Sequence, residues 1–127
     1  MPLSSTIEDD LHLVHTIYDG PYQAEILLNY FKGIWSDQKY ASYHEIFDAR
    51  NMDVEAAEFT SLLMIAKSST KSYYDNPTTK KAIIVKNGHQ KDFMDFYQSA
   101  RSLLSIQGSS TLKLFDNIDE AKIWLES

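Results

Sequence analysis

Four apolar residues in a row, Ala82 to Val85 within "KKAIIVKNG", constrain this chain more than any other stretch. Successive side chains on a strand point to opposite faces, so an unbroken apolar run needs cover on both sides of its sheet. The spacing therefore predicts a central strand flanked by helices.

The neighbouring stretches agree. "LHLVHTIY" (11–18) alternates, with Leu11, Leu13, His15 and Ile17 on one face, and Asp19-Gly20-Pro21 reads as its stop. "YQAEILLNYFKGIW" (22–35) sets Ala24, Leu27, Leu28 and Phe31 at helical spacing. "SYHEIFDA" (42–49) reads as a shorter strand, and "VEAAEFTSLLMIAKSS" (54–69) as a second helix with Phe59, Leu62, Leu63 and Ala66 inward. After the apolar run come a third helix within "QKDFMDFYQSARSLLSIQ" (90–107), a last strand "TLKLF" (111–115) and a last helix "NIDEAKIWLE" (117–126), opened by Asn117 and Glu120 in a capping-box pattern. The residues before Asp10 are expected to add at most a short edge strand.

The resulting expectation is an α/β fold: one domain over residues 1–127, with a mainly parallel sheet of four or five strands and four main helices. A chain of 127 residues, 43% hydrophobic and 24% charged, has the makings of an ordinary globular core.

The bulk chemistry excludes several functions. A net charge of -6 and a pI near 5.1 oppose nucleic-acid binding, which needs a basic face to neutralise phosphates. With no cysteine, thiol catalysis, disulfides and Cys-ligated metals are out. His12, His15, His44 and His89 lack metal-ligand spacing, and the four glycines are scattered singly, so there is no P-loop or dinucleotide fingerprint. No catalytic residues, metal or cofactor are expected. The N-terminus has no signal-peptide pattern and no stretch is long and apolar enough to span a membrane, which reads as a soluble, cytoplasmic protein.

Three pieces read together, "IFDAR", "KKAIIVKNG" and "LKLFDNIDEAKIWL", resemble the SpoIIAA-like family, small bacterial domains related to STAS anti-anti-sigma factors and similar in fold to lipid-binding CRAL-TRIO domains. The resemblance implies one of two non-enzymatic roles. The first is a module that binds a nonpolar small molecule or lipid between helices and sheet, with peripheral membrane contact. The second is a protein-docking regulator of the STAS type. STAS regulators carry a phosphorylatable Ser at the start of the helix after this strand, whereas "NMDVEAAE" has none before Thr60, and Asp53 and Glu55 read as acidic residues of that helix's first turn. The regulator reading therefore lacks its switch.

Ligands of open α/β sheets gather beyond the carboxyl ends of strands, which nominates Asp48, Arg50 and Asn51 at one exit and Asn87 and His89 at the next. These converge if the two strands are neighbours. Asp53 as a helix cap and Asn87-Gly88 as a turn are ordinary structural alternatives. The surplus apolar residues of the second helix, Leu63 and Met64 above all, are expected to line a pocket, a second subunit or a lipid surface. Lys71, Tyr73, Tyr74, Lys80 and Lys81 read as a basic, aromatic loop suited to an anionic membrane surface. A homodimer is compatible with either role.

Overall fold

The computed structural model describes residues 2–71, 76–104 and 110–127. Five strands form one sheet: β1 (Leu3–Glu8), β2 (Leu13–Pro21), β3 (His44–Asp53), β4 (Lys80–Ile84) and β5 (Thr111–Phe115). Four α-helices accompany them: α1 (Ala24–Lys32), α2 (Ser61–Thr70), α3 (Gly88–Leu104) and α4 (Ile118–Glu126). The fold is α/β as the periodicity predicts, and the N-terminal residues do supply an edge strand, antiparallel to β2, while the other neighbours run parallel.

Spatial order follows chain order, β1-β2-β3-β4-β5. The parallel crossovers all step the same way and, with the one handedness such connections favour, α1, α2 and α3 fall on one face. The strand order never reverses, so among the described residues there is no switch-point crevice of the doubly wound kind. Among the described residues, α4 is the helix that covers the opposite face.

Two cores result. On the larger face Val14, Tyr18, Phe47, Ala49, Ile83 and Leu112 meet Leu27 and Phe31 of α1, Leu62 and Ile65 of α2, and Phe93 and Met94 of α3. On the other, Leu13, Ile46, Ala82 and Ile84 pack around Ala121 of α4, with Phe115 and Trp124 alongside. Ala82 to Val85 are buried on alternate sides, as the apolar run requires.

The end of β2 and the start of α2 differ from the sequence reading. Asp19-Gly20-Pro21 does not end β2: the strand runs on through a register irregularity, with Gly20 at φ +122°, a conformation that glycine adopts without strain. The second helix begins at Ser61, not near Val54, although "VEAAE" is built of good helix formers. Val54, 5% exposed, is drawn into the core, and Phe59 makes edge-on contacts with Phe93 and Phe96, so burial overrides local propensity. Asp53 therefore caps no helix; its carboxylate accepts from the Glu55 amide in a turn, and the first turn of α2 holds no acidic residue. The serine absent from "NMDVEAAE" appears at the true helix start, where the Ser61 hydroxyl bonds to Tyr22 OH at 2.7 Å. Asn117 caps α4 as expected, accepting from the amides of Asp119 and Glu120.

Candidate functional site

Strand parity decides which polar groups enter the larger core. In β3, Glu45 shares parity with Phe47 and Ala49, and in β4, Lys81 shares it with Ile83; the two are register partners on neighbouring strands. Both are buried, Glu45 at 1% exposure and Lys81 at 0%. Tyr30 of α1 donates its hydroxyl to Glu45 Oε2 at 2.5 Å and contacts Thr16 Oγ1 at 2.8 Å, which in turn meets Ser5 Oγ at 2.8 Å. A phenol has one proton, so Thr16 donates to Tyr30 and Ser5 to Thr16, giving one direction of donation from β1 to the Glu45 carboxylate. Burial, reinforced by the Glu45 charge, holds the Tyr30 phenol well above its usual range. Lys81 Nζ donates to Tyr43 O at 3.2 Å and sits over the Trp35 ring.

Beside this cluster, α1, α2, α3 and the sheet enclose a cavity of about 30 Å³, walled by Phe31, Phe47, Leu62, Ile65, Phe93 and Met94 among others, with Glu45 the charged residue of its lining. That is room for roughly one water molecule.

Of the residues nominated at the strand exits, Arg50, Asn51, Asn87 and His89 come together, because β3 and β4 are neighbours, whereas Asp48 does not line the hollow they form. Arg50, Asn51, Lys86, Asn87 and His89 line an open hollow of about 280 Å³ beyond the carboxyl ends of the two strands, together with Asp53 and Glu55. Most have structural duties there. Arg50 clamps Asp48 through Nε at 3.0 Å and Nη2 at 2.8 Å. Burial pushes the Asp48 carboxyl up, but the hydrogen bonds and charge of Arg50 outweigh it and hold Asp48 below its ordinary value. Asn87 is no bare turn residue: its side chain caps α3 by accepting from the Gln90 amide at 2.9 Å. Gln90, 3% exposed, ties the exits together, donating to Arg50 O and Met52 O while accepting from the Lys86 amide. The hollow mixes both signs of charge and carries no concentrated field.

The remaining nominated residues lie elsewhere. Leu63 and Met64 do not enter the cavity: they are 47% and 61% exposed, because Leu62 and Ile65 hold the inward positions of α2. Lys81 is not part of a basic loop but is buried in the core, and Lys80 lies in β4, where its Nζ donates to Trp124 O and Ser127 O and closes on α4. Lys71 is exposed at the end of α2. Tyr73 and Tyr74 lie outside the described residues. Among the described residues no group of three or more His, Asp or Glu is arranged to hold a metal ion, and no helix is long and apolar enough to cross a membrane.

Sequence reasoning missed Tyr30 and Glu45 and placed Lys81 in a surface loop. The signal was present, for each strand places one charged residue at core parity, and the two signs are opposite. No family model, no curated protein and no solved structure matches this chain.

Proposed function

We propose that this protein is a non-enzymatic binding module that takes a nonpolar small molecule, or the acyl part of a lipid, between α1, α2 and the sheet. The cavity carries the reading: its lining is apolar and aromatic apart from Glu45, which suits a ligand with a long apolar body and a hydrogen-bond donor. The SpoIIAA-like resemblance points the same way. Typical ligand sites enclose roughly 300 to 1,000 Å³. Occupancy therefore requires α1 and α2 to part, and the cavity is the closed form of the site.

Peripheral membrane contact belongs to the same proposal and rests on the outer face of α2. Leu63, Met64, Lys67 and Lys71 are all exposed there, an apolar pair followed by two cations one and two turns on. This stripe suits delivery of a nonpolar ligand from an anionic bilayer.

Native mass spectrometry of freshly purified protein, followed by organic extraction, tests the pocket. The expected result is a bound mass on the wild type that is lost in Ile65→Trp, which fills the cavity. A wild type with no bound mass, whose melting temperature is unmoved by long-chain fatty acids and alcohols, overturns the proposal. Flotation with anionic liposomes tests the membrane part and should weaken in Leu63→Ser with Met64→Ser; a wild type that never floats removes it.

A further inference from the structure

The strand β1 forms one margin of the sheet, and its ladder fixes which backbone groups face outward. Asp19 donates its amide to Pro2 O at 2.7 Å, and Ser4, Thr6 and Glu8 stand opposite Ile17, His15 and Leu13. In an antiparallel pair both backbone groups of a residue point the same way and alternate along the strand. Residues 2, 4, 6 and 8 therefore face β2. The amides and carbonyls of Leu3, Ser5 and Ile7 face away from the sheet, and no backbone or side-chain partner meets them among the described residues.

An open edge of this length is a template for another strand, and folded proteins usually protect such edges with charge, proline or cover. The opposite margin is protected. There Gln98 of α3 donates to Leu112 O at 3.0 Å, and Lys113 lies within β5. Along β1 the charged residue is Glu8, at the very end, and the middle reads Leu-Ser-Ser-Thr-Ile.

We infer that β1 pairs with β1 of a second copy of this chain, antiparallel about a two-fold axis at Ser5. That register sets Leu3 opposite the partner's Ile7 and Ser5 opposite its own copy, so every outward amide and carbonyl of the three residues is satisfied. The self-complementarity is what an isologous dimer demands. Side chains agree as well. Leu3 and Ile7 already pack against the larger core, and the register continues that apolar row across the axis. Ser4 falls opposite the partner's Thr6 on the other face, and Glu8 opposite the partner's Pro2, so no like charges meet. The two sheets join into one, with α1 of each copy flanking the seam.

The inference does not depend on the cavity and is tested on the full chain by sedimentation equilibrium over a dilution series. The wild type is expected to weigh two chains when concentrated. Replacing Ser4→Lys together with Thr6→Lys puts cations opposite each other across the axis and should raise the dissociation constant at least about tenfold. Ser4→Lys with Thr6→Glu alters the same exposed positions but sets opposite charges face to face, and should keep the dimer. Hydrogen exchange adds a residue-level reading. The amides of Leu3, Ser5 and Ile7 should be protected at high concentration and lose that protection on dilution, while those of Ser4 and Thr6 stay protected in both. A wild type of one chain at every concentration overturns the inference, as does a dimer indifferent to both double variants or one whose Leu3, Ser5 and Ile7 amides exchange freely. Occupation of this edge solely by an extended segment of a different protein also overturns it.

Discussion

Lys81 Nζ lies 3.8 Å from the centroid of the Trp35 indole, with both residues at 0% exposure. An ammonium group is strongly hydrated, so it stays charged in a core only where fixed electrons replace water, here the indole face and the Tyr43 carbonyl. Its register partner Glu45 is equally buried. Lys81→Met keeps the volume and removes the cation, leaving the carboxylate without the charge beside it. Breaking up such a buried arrangement from one side costs about 3 kcal/mol. Urea denaturation should show that loss for Lys81→Met, and adding Glu45→Leu should recover part of it. A single variant as stable as the wild type contradicts the assignment.

Tyr30 is the link between the cluster and the outer strands. Tyr30→Phe keeps the ring contacts with Phe31, Trp35 and Phe47 but takes the proton from Glu45 and the acceptor from Thr16. Losing a hydrogen bond to a buried charged group costs about 2 kcal/mol. The midpoint of denaturant unfolding should fall accordingly while its slope is unchanged. Because burial and the Glu45 charge hold the wild-type phenol well above its usual range, Tyr30 should also stay un-ionised, by ultraviolet absorbance, at a pH where a solvent-exposed tyrosine ionises.

The order of elements was legible because each strand and helix repeats its own apolar period, and the sheet class followed from the unbroken run Ala82 to Val85. The start of α2 was not, since local propensity at Glu55, Ala56 and Ala57 pointed to helix while the burial of Val54 and Phe59's contacts with α3 decided otherwise. The convergence of Arg50 and Asn51 with Asn87 and His89 needed the strand order, which periodicity does not carry. Lys81 reads as loop because it ends the Ser/Thr/Lys-rich stretch before the apolar run. Its parity with Ile83, set against the parity of Glu45 with Phe47, is the clue that places it inside.

His44 makes the fold sensitive to acid. Its Nδ1 accepts the Lys80 amide at 2.9 Å, joining the start of β3 to that of β4. Burial lowers its pKa from 6.5, and Lys81, Lys80 and His12 lower it further. Below 6.5 the unfolded chain takes up a proton that the folded chain resists, so this contribution is fully present above 6.5 and is lost as pH falls toward the lower folded value. His15 acts in the same direction: burial lowers its pKa, and Asp48 opposes the shift. Stability followed by chemical denaturation should therefore decline with acidification through this window. The decline should be shallower in His44→Asn, whose side-chain oxygen can still accept the Lys80 amide; an unchanged slope would count against the role of His44.

Gln90 is the strut beneath the exit hollow. It donates to Arg50 O at 2.9 Å and Met52 O at 3.0 Å and accepts from the Lys86 amide at 2.7 Å, so one side chain satisfies three backbone groups from two strand exits. Gln90→Ala leaves those groups without this partner and should cost about 2 kcal/mol. Gln90→Glu separates the two halves of the side chain. A carboxylate still accepts from Lys86 but sets negative charge against two carbonyl oxygens, so its pKa in the folded state rises above the ordinary value of about 4.3. A raised folded pKa means stability is present below the unfolded value and is lost as pH rises through the folded one. Gln90→Glu should therefore approach the wild type in acid and fall below it at neutral pH, whereas Gln90→Ala should be destabilised by a similar amount at both. Parallel denaturation curves for the two variants at acid and neutral pH check this; identical pH behaviour would show that the paired donation to Arg50 O and Met52 O is not what holds the exits together.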